Sequence, residues 1–290
     1  AIDDLLANKT YMFFSHVIKG QTENMPLLQD CLAKKIQLID YECIVDSSDE
    51  SPKGKRLIAF GEYAGLAGMV DVFPALGRRL LMKNNWSTPF LNCPPTIHHY
   101  DLAEMKQSVK QMADRLAAEG LPEDMEPLVF AMTGKGGNVF RGVREIFDIL
   151  PHEIVSVEDL PELHRLQGPQ YKVYGVAPEK NEIYQRMRDD GEGFFERSDY
   201  MKNPHLYKSL FAEKVAPYSN VIVNCGYWDY RFPRLLTKDD IQELYMKGND
   251  RLMIVSDISC DPGGSIEFLE RSTTIDRPSF QYDPIQGREV

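Results

Sequence analysis

The stretch LVFAMTGKGGNVFRG, residues 128–142, constrains the fold more than any other part of this 290-residue sequence. Residues 128–133 form a short continuous apolar run, the pattern of a strand covered on both faces. Gly134, Gly136 and Gly137 follow at once, and a helix is expected over residues 139–150. Glycines between strand and helix let the chain turn tightly and let backbone N–H groups approach a pyrophosphate at the helix N-terminus. The spacing is not a strict G-x-G-x-x-G, and without Gly-Lys-Ser/Thr the loop is no Walker A. A glycine-rich βα loop with no ligand is the plain alternative. Gly142 is expected to pack the helix closely on the sheet.

Further strands are expected over residues 11–15, 36–41, 56–60, 153–157, 220–224 and 252–256. The first of these reads as buried on both sides. Helical patterns occupy residues 26–35, 103–119 and 239–247. Residues 61–82 carry Gly65, Ala67, Gly68 and Ala75 at near-helical spacing, which suits close helix packing. Residues 46–55 are polar and read as an exposed, hairpin-like loop. Residues 172–214, charged and aromatic with weak periodicity, read as helical excursions. Alternation of strand and helix implies a parallel, doubly wound sheet.

Composition excludes several classes. A net charge of −11 with scattered Lys and Arg argues against nucleic acid. No apolar run approaches the ~20 residues of a membrane span, and the first residues do not read as a signal peptide. Five cysteines without a C-x-x-C pair indicate neither a disulfide framework nor a metal site. An intracellular setting fits, cytoplasm or mitochondrial matrix.

In an open α/β sheet, ligands sit beyond the carboxyl ends of the strands. The strand after the glycine helix should end at the residue that reads the adenosine ribose. Ser156 at that tip favours NADP, whereas Glu158 there favours NAD. Asn224, Cys225, Gly226 and Tyr227 close one later strand, and Asp257, Ile258 and Ser259 another; turn and cap roles remain open for Asn224 and Asp257. Near the N-terminus, His16, Lys19 and Gln21 follow the first strand. His16 suits acid–base work and Arg56 suits a substrate carboxylate. A structural histidine and a surface arginine are the alternatives.

The strings FFSHVIKGQ, NMPLL, LIDYE, RLIAFGEYAGLAGM, GGNVFRG, APY, PRLLT and DISCDPGGSIEF, in this order, resemble the lysine–2-oxoglutarate reductase family. That family includes the reductase half of bifunctional aminoadipic semialdehyde synthase and is related to saccharopine dehydrogenase and alanine dehydrogenase. The resemblance implies an α/β fold of two Rossmann-like lobes with parallel sheets and an interlobe active-site cleft. Residues 1–60 and 266–290 would form a substrate lobe truncated at both ends, and residues 61–265 the dinucleotide-binding lobe. The implied activity condenses L-lysine with 2-oxoglutarate and reduces the imine with NADPH, in preference to NADH, giving saccharopine in lysine degradation.

His16 matches the family's catalytic histidine, while its catalytic lysine would lie upstream of Ala1, so this stretch alone is expected to be a poor catalyst. Lys19 with Asp257 matches an ion pair, and Glu42 an acidic neighbour, that tune the site's charge. Gln21, Arg56 and Phe60 match saccharopine contacts. Gly137, Asn138, Tyr227, Ser256, Asp257, Ile258 and Ser259 match dinucleotide contacts, and Lys55 stands where relatives can carry an Arg near the cofactor. A fused saccharopine dehydrogenase domain after Val290 would complete a bifunctional enzyme; the oligomeric state stays open. Two other readings remain: an NAD-dependent saccharopine dehydrogenase releasing lysine, and a catalytically inert dinucleotide-binding regulatory module.

Overall fold

The computed structural model describes residues 4–290 except 21, 47, 49–54, 164, 167 and 189–190, and describes only the backbone of residues 19, 23, 55, 188, 191 and 192. The chain divides into two units, Ala1–Phe60 and Gly61–Val290.

In the first unit, β1 (Thr10–Phe13) and β2 (Gln37–Asp40) pair in parallel from Thr10↔Gln37 to Phe13↔Asp40. Helix α1 (Met25–Ala33), with Pro26 in its tolerated first turn, makes the crossover between them. Then β3 (Val45–Asp46) and β4 (Lys55–Arg56) form a short antiparallel ladder. The loop between them lies largely outside the described residues. Strand β1 is not buried on both sides as its aromatic sequence suggested: exposed and half-buried positions alternate, and Met12 is 51% exposed. Nor does β4 continue to Phe60, which is itself exposed.

The second unit opens with α2 (Gly61–Asn84) and α3 (Leu102–Glu119). Asp101 caps α3 by accepting the Glu104 N–H at 2.9 Å. There follow β5 (Val129–Met132), α4 (Asn138–Phe147), β6 (His152–Val155), α5 (Leu160–Leu163) and β7 (Val173–Val176). After α6 (Lys180–Ile183) comes a small antiparallel sheet, order β10-β8-β9, of β8 (Tyr184–Arg188), β9 (Gly191–Gly193) and β10 (Tyr207–Ser209), with α7 (Arg197–Lys202) between the last two. Next are α8 (Phe211–Lys214), β11 (Val221–Asn224), α9 (Lys238–Met246) and β12 (Ile254–Asp257). A two-stranded ladder of β13 (Tyr282–Asp283) and β14 (Arg288–Glu289) ends the unit.

Strands β12-β11-β5-β7-β6 form one parallel sheet in that order. VFAM, VYGV and VIVN are buried at every position, so these three strands are covered on both faces. Successive side chains enter opposite cores. Phe130 and Met132 join α2, α3 and α4 on one face, while Val129 and Ala131 meet Leu160, Phe211 and Ile241 on the other. Each large apolar side chain here, Phe130, Met132 and Val129 among them, contributes about 1.5–3 kcal/mol when fully buried, which makes this sheet the stable frame of the unit. Ile266, Phe268 and Tyr282 pack into the second core. The stretch 266–290, expected to return to the substrate lobe, thus completes the larger unit.

Two sequence expectations are corrected here. Residues 172–214 hold the short helices α6, α7 and α8 but also the interior strand β7 and the antiparallel sheet β10-β8-β9, which the weak periodicity did not suggest. Gly175 weakens the strand signal of VYGV, yet a Cβ there would stand 2.8 Å from Phe147 and Ile154 side-chain atoms. Gly142 does not serve helix–sheet packing. Its Cβ would lie 2.0 Å from the Glu62 carbonyl oxygen, and one on Gly65 would lie 2.0 Å from that of Val139, so the glycines let α2 and α4 touch backbone to backbone. The glycine-and-alanine texture of α2 has the use its spacing suggested.

Candidate active site

The turn after β5 is built by missing side chains. Gly134 (φ 74°) and Gly136 (φ 85°) take left-handed conformations, and the Gly137 N–H closes the turn on the Gly134 carbonyl at 3.0 Å. A Cβ on Gly134 would stand 2.6 Å from the Cys225 carbonyl, so the turn lies directly against the loop after β11. Around Gly136 the space is open to 4 Å, and residues 135–138 are exposed. Among the described residues no side chain caps α4, whose N-cap is Gly137 and whose first-turn N–H groups have no partner within the helix. Free amides, the positive end of a ten-residue helix and room for close approach suit a phosphate group.

Beside this turn a chain of hydrogen bonds ties three strand ends together. The Thr133 hydroxyl donates to Asn224 Oδ1 (2.7 Å), and Asn224 Nδ2 donates to Asp257 Oδ1 (2.9 Å). Ser259 adds its hydroxyl to the same Asp257 oxygen at 2.6 Å. Burial raises the Asp257 pKa, against the lowering effect of the Ser259 and Asn224 bonds. Among the described residues its other oxygen, buried, has no hydrogen-bond partner. Asn224 and Asp257 are therefore more than a turn residue and a cap: they belong to one polar network at the carboxyl end of the sheet. Thr133 was missed, because its role depends on strands far apart in sequence. Ile258 packs on α2, where a Cβ on Gly68 would come within 2.7 Å of it. Ser256 lies within β12, and Tyr227 is 76% exposed with its hydroxyl 3.3 Å from Asp229 Oδ2.

The strand order on this side of the sheet differs from expectation. Strand β6 follows α4 in sequence but lies at the sheet edge, with β7 between it and β5. Ser156 therefore follows an edge strand, and its hydroxyl donates to Asp159 Oδ2 at 2.7 Å. Glu158, on the same loop, is exposed. On the side of β5 away from β11 the neighbouring strand is β7, and its tip reads Ala177-Pro178-Glu179-Lys180. Glu179 forms a capping box with Glu182, and its Oε1 lies 2.7 Å from the Lys135 Nζ of the glycine turn. Both side chains are about half exposed, so the pair contributes only about 0.2–1 kcal/mol and opens cheaply. Sequence reading missed Glu179 and Lys180 because it missed β7. The clue was a short apolar run, VYGV, ending at Ala-Pro.

In the first unit His16 begins the turn after β1 in a left-handed conformation, φ 55°, uncommon for a residue with a side chain. Its Nδ1 lies 2.9 Å from Glu42 Oε2, while the other Glu42 oxygen takes Arg56 Nη2 at 2.8 Å. Glu42 is buried; the His16 and Arg56 side chains are about half exposed. A carboxylate only accepts, so Nδ1 carries the hydrogen and Nε2 remains available. Behind Glu42, Asp40 accepts the Glu42 N–H at 2.9 Å and the Ser15 hydroxyl. Burial alone would raise the Asp40 pKa, but these bonds outweigh it and hold the carboxyl below its usual range. Phe14 stacks on His16 and meets Phe60 edge-on, with centroids 5.6 Å apart. Gln21 and the side chains of Lys19 and Lys55 lie outside the described residues, and the expected Lys19–Asp257 pair with them. Among the described residues no cluster of His, Cys, Asp and Glu could hold a metal.

A parallel sheet with a glycine turn leading into a helix N-terminus defines the second unit as a Rossmann-like α/β fold. Over 98% of its length the chain is 42% identical to alpha-aminoadipic semialdehyde synthase of Arabidopsis thaliana, and over 98% it is 36% identical to the mitochondrial alpha-aminoadipic semialdehyde synthase of Mus musculus. The chain is a homologue of one segment of these synthases. It spans 27% of the plant protein's length and 31% of the mouse protein's. No family model matches. An L-alanine dehydrogenase structure aligns with 97% of this chain and 58% of its own at 13% identity and a TM-score of 0.44.

Proposed function

We propose that this chain is the reductase segment of a lysine-degrading enzyme, which condenses L-lysine with 2-oxoglutarate and reduces the imine with NADPH to saccharopine. The observation that carries the reading is the open glycine turn at the N-terminus of α4, next to the buried Thr133–Asn224–Asp257 network, in a homologue of the semialdehyde synthases. The residues fit a dinucleotide: free amides suit its pyrophosphate, and the space at Gly136 admits it. Gly137 and Asn138 would hold the phosphates, and Tyr227 with Ser256, Asp257, Ile258 and Ser259 would line the nicotinamide end. When bound, the cofactor supplies the hydride.

The protein's part is charge and alignment. Arg56 keeps donors beyond the one given to Glu42, and these suit a substrate carboxylate, with Gln21 and Phe60 as further contacts. His16 gives a proton to the hydroxyl that leaves as water when the imine forms; Glu42 holds its ring through Nδ1, so Nε2 is the nitrogen that acts. The family resemblance supports a saccharopine dehydrogenase domain in the same polypeptide, and the mouse relative's name supports a mitochondrial setting over the cytoplasm.

The test uses the full-length protein. Oxidation of NADPH that requires both lysine and 2-oxoglutarate, with saccharopine as product, supports the proposal. Faster turnover with NADH and net release of lysine would favour the NAD-dependent dehydrogenase. Dinucleotide binding without saccharopine formation would leave an inert regulatory module.

A further inference from the structure

The tip of β7 holds charges that the proposed activity has not used. Glu179 is committed twice, to the capping box with Glu182 and to Lys135. Lys180, the next residue, has no carboxylate partner among the described residues; its Nζ lies 5.2 Å from the ring centroid of Tyr200, itself buried. Partial desolvation there, followed by repulsion from Arg197, lowers the Lys180 pKa. Arg197 likewise has no acidic partner among the described residues. Two cations without an acidic partner among the described residues thus lie by the end of a strand that flanks the glycine-turn strand, where a Rossmann-like fold meets the adenosine ribose. Glu179 is paired with Lys135, and Glu182 accepts the Glu179 backbone N–H.

We infer that Lys180 reads the 2′-phosphate of the dinucleotide, with Arg197 adding to the local positive field and Lys135 holding Glu179 away. This rests on the dinucleotide reading above and deepens it by moving the selectivity point from the β6 end to the β7 end. A carboxylate available to a ribose would select the 2′-hydroxyl, and hence NAD. Here it is the ammonium that lacks a carboxylate among the described residues, resting instead against the Tyr200 ring. Because the pair between Lys135 and Glu179 is exposed, Lys135 can also turn toward the phosphate at small cost.

The experiment measures dissociation constants for NADPH and NADH by nucleotide fluorescence on the full-length protein. The variants are Lys180→Gln, Lys180→Arg and Glu179→Gln, each checked for an unchanged thermal transition. Loss of one charge-assisted bond predicts NADPH binding weakened about 10- to 100-fold in Lys180→Gln, with NADH binding unchanged and Lys180→Arg restoring most of the loss. Glu179→Gln should leave NADH affinity unaltered. Equal weakening for both nucleotides, no weakening, or a selective loss of NADH affinity in Glu179→Gln would overturn the assignment while leaving the dinucleotide site intact. If the unmodified protein binds neither nucleotide, the dinucleotide reading itself fails and this inference with it.

Discussion

The turn after β1 is held by side chains, whereas the turn after β5 is held by their absence. At the first, His16 sits in a left-handed conformation anchored to the buried carboxylate of Glu42, which also grips Arg56. At the second, Gly134 presses its bare Cα against the Cys225 carbonyl and leaves the amides of the α4 N-terminus exposed. A charged or acid–base group must be aimed, so its turn is braced by hydrogen bonds. A phosphate must be approached by backbone, so its turn is cleared of side chains. The two should fail differently when altered.

The largest effect is expected at the braced turn. Asparagine tolerates the left-handed region, so His16→Asn should fold normally while kcat for saccharopine formation falls about 10²- to 10⁴-fold, the usual contribution of a general acid. A melting temperature that drops along with activity would mean that His16 is structural. The next effect is on stability. Gly142→Val places atoms where the α2 backbone already lies and should cost about 3 kcal/mol or more in denaturant unfolding. A cost below about 1 kcal/mol would show that α2 and α4 separate easily and that the cleared packing is not needed.

Glu42→Gln should act more mildly than loss of the histidine. The amide oxygen still accepts from Nδ1, so the drop in kcat is expected at about 10- to 100-fold, as for other orienting carboxylates. A loss as large as that of His16→Asn would show that the carboxylate charge does more than orient. The smallest effect concerns Asp257. Its folded pKa is raised, so between its ordinary value and the folded one the native state holds a proton that the unfolded chain has released. Stability therefore falls as pH rises through that window. Asp257→Asn removes the titration: as pH rises above the ordinary carboxylate range, its melting temperature should fall less than that of the parent. An identical pH dependence in both proteins would mean that Asp257 is not destabilised by its burial.

Much of the frame is legible in the amino-acid sequence. Alternating apolar runs and helical patterns announce a parallel α/β sheet, since residues 128–133 and 220–224 can be buried only in strands covered on both faces. TGKGGN marks its own turn, because few residues besides glycine accept the φ values that Gly134 and Gly136 adopt. His16 and Arg56 stand out as chemistry-bearing residues, but nothing local tells them from a structural histidine and a surface arginine. Glu42 joins them only because the βαβ crossover of the first unit brings it there.

Local chemistry in the chain thus determined which segments must be buried, where the chain must turn without side chains, and which groups can carry charge or protons. Tertiary structure alone decided the neighbours. Consecutive parallel strands usually lie side by side, so Ser156 at the end of β6 was the natural ribose position. The sheet instead inserts β7 between β6 and β5, bringing Glu179 and Lys135 together across 44 residues of sequence. The physical reason is degeneracy: a four-residue apolar strand fits any interior slot of a parallel sheet, and the slot is selected by packing summed over both faces, which no local pattern records.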